Sequence, residues 1–252
     1  MTLTVDLNAD MGESFGPWPM GNDAALLKIV TSANVACGFH AGDADTMAQT
    51  MALAQAAKVN IGAHPGFADL QGFGRRRMNL SPQELENLVI YQLGAAQSVA
   101  AAQGASLRHL KLHGALANMC SEDEDMAMTC YRAALRVMPD ITIMAMAATA
   151  QERAVRALGC DWVGEIFADR AYEEDGRLVD RKKPGAVIHD ANLAAERVVQ
   201  MVNEQAIITA KGTRIPTKVD TVCLHGDGET AVQIATALRR DLEAAGVDIR
   251  PF

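Results

Sequence analysis

The chain has 252 residues, 49% of them hydrophobic and 21% charged, an ordinary globular mixture that argues against a disordered or fibrous protein. Its 23 Lys and Arg against 31 Asp and Glu leave a net charge of -8, which disfavours nucleic acid as a partner because a hold on phosphate backbones needs a cationic surface. The most apolar stretch, residues 141–150, is far shorter than the ~20 residues that cross a bilayer, and the first ten residues lack the basic and apolar segments of a secretory signal, so no membrane association is expected.

Short strand-like runs alternate with longer helix-like ones. In the first predicted strand, Leu3–Ala9, the two-residue period puts Asp6, Asn8 and Asp10 on one face and Val5, Leu7 and Ala9 on the other. A strand at Val30–Val35 runs through SANVACGFHAGD, which contains Asn34 and His40, into a helix near Asp43 to Lys58. The small residues allow close backbone approach there. The amides beside Gly42 and Asp43 either hold an anion such as a carboxylate or form an ordinary connection. The third strand, Val59–Ala63, ends at His64 in a glycine-rich loop closed by Arg75, Arg76 and Arg77. These are either solvated charges or include one fork for a substrate carboxylate.

Ser81-Pro82-Gln83-Glu84 has the capping-box signature of a helix start, and Gly104 a left-handed stop. The fourth strand, Leu107–Leu112, carries Lys111 and leads to His113. Ser121 to Glu124 suggests a second capping box, with the helix ended by Pro139. A fifth strand at Ile141–Met146 and a helix closed by Gly159 lead to a sixth, Trp162–Ala168, which carries Glu165. Residues 173–218 break the rhythm, with a turn at Glu174-Asp175-Gly176, a helix near Asn192–Asn203 and a hairpin around Lys211-Gly212; they are expected to elaborate the sixth unit. The seventh strand, Val219–Leu224, ends at His225 and Asp227, and Gly246 closes the last helix.

Seven such units predict a single β/α-barrel domain over residues 1–252, in which strand C-terminal ends meet at one mouth. His64, Lys111, His113, Glu165, His225 and Asp227 would then assemble a polar pocket. His and carboxylate side chains gathered there could bind Zn²⁺ or a similar ion, but no H-E-x-x-H, H-x-H or paired Cys motif demands it, and the metal stays open. No P-loop is present. Five cysteines without C-x-x-C spacing fit buried thiols in a reducing, cytoplasmic setting.

DLNADMGE (Asp6–Glu13), SANVACGFHAGD (Ser32–Asp43), IGAHPGFADLQGFGRR (Ile61–Arg76), LHGALAN (Leu112–Asn118), EIFADRAY with the later DGRLVDR (Glu165–Arg181) and CLHGDG (Cys223–Gly228) occur in this order. Over nearly the whole chain they resemble the LamB/YcsF family, the A subunit of bacterial 5-oxoprolinase. Where that family usually reads K-P-H-G-A-L-Y-N, this chain has Leu112 and Ala117, which changes local stiffness and removes one hydroxyl but keeps Lys111, His113 and Asn118.

The resemblance implies a distorted seven-stranded β/α barrel similar to the glycoside hydrolase/deacetylase class. It also implies ATP-consuming cleavage of 5-oxoproline to glutamate with two partners, subunits B and C, which would bind the ATP. In that setting Asp10 or His64 is the expected general base and His113 and His225 the proton shuttles. Lys111 and the amides near Gly38 to Gly42 would stabilise charge developing on oxygen. Asn8, Asn34, His40, Glu165, Asp169, Arg170 and Asp227 would bind or orient the substrate. The rival expectations are a stand-alone metal-dependent carbohydrate deacetylase and a non-catalytic substrate-binding subunit.

Overall fold

The computed structural model describes residues 3–225 and 230–252, so the expected binding residue Asp227 lies outside the described residues. Six parallel strands, β1 (Thr4–Met11), β2 (Ser32–Ala36), β3 (Asn60–His64), β4 (Leu107–Lys111), β5 (Thr142–Met146) and β6 (Trp162–Phe167), pair each with the next. An antiparallel pair follows, β7 (Ala206–Ile208) and β8 (Arg214–Pro216), which is the hairpin expected around Gly212. The next strand, β9 (Thr221–Leu224), pairs with β6 on one side and β1 on the other, and closes a seven-stranded parallel barrel. A two-residue strand, β10 (Asp248–Ile249), adds to the start of β1; nothing in its sequence pattern announced it.

The strands alternate with helices α1 (Asp23–Leu26), α2 (Ala44–Ala57), α3 (Pro82–Ala102), α4 (Gly114–Glu122), α5 (Glu124–Val137), α6 (Ala150–Leu158), α7 (Ala191–Glu204) and α8 (Ala231–Ala244). The Ser81 capping box at α3 is formed in full, and α3 buries Leu85, Leu88, Val89, Gln92, Leu93 and Ala96 at helical spacing. Buried Gln92 exchanges hydrogen bonds with Gly66, accepting from its amide at 3.0 Å and donating to its carbonyl at 2.9 Å, which pins the loop after β3. The expected cap at Ser121 is displaced. Ser121 lies within α4, its hydroxyl donating to the Asn118 carbonyl at 2.7 Å, while Asp123 accepts from the Met126 amide and caps α5. Aspartate serves as well as serine at this position.

Val5, Leu7, Ala9 and Met11 belong to the apolar core. The alternate residues of β1 make their hydrogen bonds across the barrel interior. Asp6 accepts from the hydroxyls of Thr31 at 2.6 Å, Ser32 at 2.8 Å and Thr221 at 2.5 Å. One level higher, Asn34 donates to Asn8 at 2.7 Å, Asn8 donates to Thr221 at 2.8 Å, and His109 bonds Asn34 at 2.7 Å. Barrel interiors are usually filled by branched apolar side chains; this one holds a stack of polar groups that hydrogen-bond one another, as burial requires, with His109 Nδ1 left over. Gly62 in β3 makes room for it, because any Cβ there would strike the His109 ring.

Candidate active site

The polar stack ends at the mouth, where Asp10, the seventh residue of β1, is brought level with Asn34 by the β1–β2 register. Lys111, the last residue of β4, reaches across to it. Its ammonium lies 2.8 Å from Asp10 Oδ1, 2.9 Å from Glu165 Oε1 and 2.9 Å from Cys223 Sγ. Asn8 Oδ1, Asp10 Oδ1 and Cys223 Sγ accept its three hydrogen bonds, the first at 3.4 Å, and Glu165 adds a second carboxylate charge, so Lys111 is a counter-charge already committed to its neighbours. Burial opposes its charge, but Asp10 leads the groups that hold its pKa well above the ordinary lysine value. Burial likewise works against the Asp10 carboxylate, yet His64 and Lys111 hold it well below the usual range. Glu165 goes the other way, pushed up by burial despite Lys111.

Three imidazoles adjoin this centre. His64, at the end of β3, faces the Lys111 carbonyl through Nδ1 at 2.8 Å, and its Nε2 lies 3.4 Å from Asp10 Oδ2. His113, at the N-cap of α4, faces the Phe73 carbonyl through Nε2 at 2.9 Å, and its Nδ1 lies 3.0 Å from His64 Nε2. His40 is fully buried behind them, stacked on His113 with ring centroids 3.6 Å apart. Burial, reinforced by neighbouring imidazoles, holds His40 and His113 well below the ordinary histidine pKa. On the far side, His225 Nδ1 is 2.8 Å from Asp169 Oδ1 in the loop after β6.

Asp10, His64, Lys111, His113 and His225 all line one cavity of about 720 Å³, together with Arg170. The other described residues expected to bind substrate do not reach its lining. Asn8, Asn34 and Glu165 sit in the barrel beneath Asp10, His40 lies behind His113, and Asp169 stands behind His225. The Gly38 amide and the start of α2 are also otherwise engaged. Gly38 donates to the Ala41 carbonyl at 3.0 Å, and Asp43 caps α2 with its own carboxylate, accepting from Thr46 at 2.8 Å and Gly16 at 2.6 Å. An anion at that helix end would compete with the aspartate already there.

Two residues at the centre escaped the sequence reading. Cys223 shares a face with Thr221 and His225 by the same two-residue period that exposed Asp10, and that was the available signal. Glu13, just beyond β1, lies 3.8 Å from His40 Nε2; it belongs to the Asp6–Glu13 motif but has no periodicity to mark it.

Among the described residues two groups of side chains are placed to hold a metal ion: Glu13, His40, His64 and His113, and Asp10, Cys223 and His225, each group offering ligand atoms within 4.8 Å of one another. The first fits chemically. The carbonyls of Lys111 and Phe73 take the N–H of His64 Nδ1 and His113 Nε2, which leaves two lone pairs, His64 Nε2 and His113 Nδ1, facing each other across 3.0 Å. Such a pair calls for a shared proton or a cation, and a set of imidazoles with a carboxylate suits Zn²⁺ or a similar ion.

The LamB/YcsF family pattern matches residues 5–252. The chain belongs to the LamB/YcsF family. Among LamB/YcsF relatives, the A subunit of 5-oxoprolinase from Ruegeria pomeroyi is 66% identical over 248 residues, covering 98% of each chain. The crystal structure of a lactam utilization protein from Thermus thermophilus superposes with a TM-score of 0.92 at 40% identity, over 99% of this chain and 100% of the other. A T48 deacetylase with substrate shares the barrel at a TM-score of 0.52 and 14% identity, over 98% of this chain and 87% of that one, a likeness of fold alone. The LamB/YcsF barrel is therefore of the deacetylase-like class that the motifs implied.

Proposed function

We propose that this chain is the A subunit of an ATP-dependent 5-oxoprolinase, which opens the lactam of 5-oxoproline to glutamate with subunits B and C. The observation that carries the reading is the identity of 66% to the A subunit of a 5-oxoprolinase along essentially the full length of both chains. The chemistry of the mouth supports it. Opening an amide ring by water needs a base for the water and an acid for the leaving nitrogen, and imidazoles serve both near neutral pH.

Of the two candidates for the base, Asp10 and His64, the electrostatics favour His64. Burial opposes the Asp10 charge, but His64 and Lys111 hold this carboxylate well below its usual pKa, so it takes up protons weakly. The Lys111 carbonyl, by contrast, fixes the N–H of His64 at Nδ1 and leaves the Nε2 lone pair to accept one. His225, with Nδ1 held by Asp169, presents its other nitrogen as the acid, an arrangement familiar from carboxylate-oriented histidines. His113 Nδ1 shares the proton that His64 Nε2 takes up, through their direct contact. Lys111 fixes Asp10 and Glu165 and does not itself meet the substrate oxygen. ATP belongs to the partner subunits, since this chain has no P-loop; phosphorylating the lactam oxygen would make the ring carbon a better electrophile.

The test is glutamate formation from 5-oxoproline and ATP by the chain alone and with subunits B and C. Turnover is expected only from the full complex, and His64→Ala or His225→Ala is expected to lower kcat by roughly 10²–10⁴-fold, the usual worth of an acid or base. Full turnover in either variant would exclude its assigned role. The facing lone pairs of His64 and His113 favour a second reading, a metal-dependent hydrolase acting without ATP. Elemental analysis of the purified chain decides it: one bound ion per chain, with ATP-independent release of acetate from acetylated sugars, would replace the first reading.

A further inference from the structure

The chain is acidic overall, yet cationic side chains outnumber carboxylates along the described lining of the mouth. Several of these cations are neutralised locally. Arg76 pairs with Asp69, Arg77 with Glu122, Arg177 with Asp175 and Lys183 with Glu173. Arg170 is different. It is buried, it donates to the carbonyls of Val179 at 2.7 Å and Ala186 at 3.3 Å, and no carboxylate pairs with it among the described residues. Arg181 and Lys182, half-buried and exposed on the same rim, likewise form no ion pair among the described residues. The nearby carboxylate of Asp169 is engaged by His225.

A buried guanidinium that only backbone carbonyls hold among the described residues is costly to maintain, and a site that gathers like charges around it suits an anion. Burial first, then Arg181, draw the Arg170 pKa down to about 10 against the opposing charge of Asp169. A carboxylate needs only one arginine fork, whereas two or more unneutralised cations suit a dianion. The cavity of about 720 Å³ also falls in the range that encloses drug-sized ligands and is generous for a lactam of nine heavy atoms.

We propose that the Arg170–Arg181 side of the mouth is a phosphoryl-binding subsite that receives the lactam in its O-phosphorylated form. This rests on the ATP-coupled reading above. On the partner subunits the γ-phosphoryl group of ATP passes to the lactam oxygen, releasing ADP and the proton of the ring nitrogen. At this mouth a water oxygen bonds to the ring carbon, both water protons end on nitrogen, and the C–N bond breaks to give an open-chain acyl phosphate. A second water then splits that acyl phosphate into glutamate and inorganic phosphate. Arg170 and Arg181 hold the phosphoryl oxygens through these steps, next to the His225 that delivers the proton.

The experiment is calorimetric titration of the full chain with inorganic phosphate and, separately, with 5-oxoproline, in the wild type, Arg181→Ala and Arg181→Lys. Arg181 is a rim residue, so its replacement spares the buried Arg170. Phosphate is expected to bind the wild type, to bind Arg181→Ala roughly tenfold more weakly, the worth of one charge-assisted contact, and to recover in part in Arg181→Lys, with 5-oxoproline affinity unchanged. In the complex with subunits B and C, Arg181→Ala is expected to release ADP in excess of glutamate. Absence of phosphate binding to the wild type would overturn the proposal, and so would an equal loss of phosphate and 5-oxoproline binding, which would assign these cations to the substrate carboxylate. If the wild-type complex forms no glutamate the oxoprolinase reading fails, and the phosphate titration still decides the subsite.

Discussion

Asp6 lies deepest in the polar stack, and its titration has a measurable consequence. Burial pushes its carboxyl up from 3.8 to about 6, against the opposing hydrogen bonds of Thr221, Thr31 and Ser32. Because the folded pKa is raised, the native state binds the proton more tightly than the unfolded one, so stability is lost as pH rises from about 4 to about 6. A shift of this size corresponds to about 3 kcal/mol. In Asp6→Asn that loss should disappear, and denaturant unfolding of variant and wild type across pH 4 to 7 should show their stability difference moving in favour of the variant as pH rises. A constant difference would mean that Asp6 is already ionised at pH 4. The same residue shows what one chain of letters reveals. The two-residue period placed Asp6, Asn8 and Asp10 on the inner face, because side-chain alternation is fixed by strand geometry. It says nothing of depth: which of the three reaches the mouth depends on register with β2 and β9, which is a tertiary property.

Elements were legible wherever they carry their own punctuation. The Ser81 box and the left-handed glycines 104, 159 and 246 mark helix ends in the sequence and in the structure alike. Connections built by close approach carried a weaker signal. Gly42, between β2 and α2, read as either an anion site or a plain turn; it sits at φ +76°, and a Cβ would come within 2.6 Å of the Gly12 carbonyl oxygen. Its glycine serves the packing of two loops. Gly104 has a similar φ of +70° with open space around it. The pair separates conformational from steric cost. Gly104→Ala should destabilise by about 1–2 kcal/mol, the left-handed penalty alone, and Gly42→Ala by about 2–5 kcal/mol, since overpacking adds to it. Equal losses in chemical denaturation would show that the loop after β1 yields freely to a methyl group.

At the scale of the whole molecule the barrel has an open end and a closed one. The open end carries Asp10, Lys111, His64, His113 and His225. The other is covered by the last residues of the chain: β10 pairs with β1, Arg250 donates to the Val5 carbonyl at 3.1 Å, and the Phe252 ring stands 5.5 Å from His109. Phe252 and Asp6 line the same small recess. This cover keeps water from the lower stack, where burial pushes His109 down to about 3 and Asp6 up to about 6. Phe252→Ala should therefore act in two ways. It should cost about 2 kcal/mol, roughly half the loss for a fully buried phenylalanine. It should also hydrate Asp6, let its pKa fall back toward 3.8, and shrink the loss of stability between pH 4 and 6 that marks the wild type. A variant that loses stability uniformly across that range would show that Phe252 contributes packing alone and that Asp6 is kept dry by the strands around it.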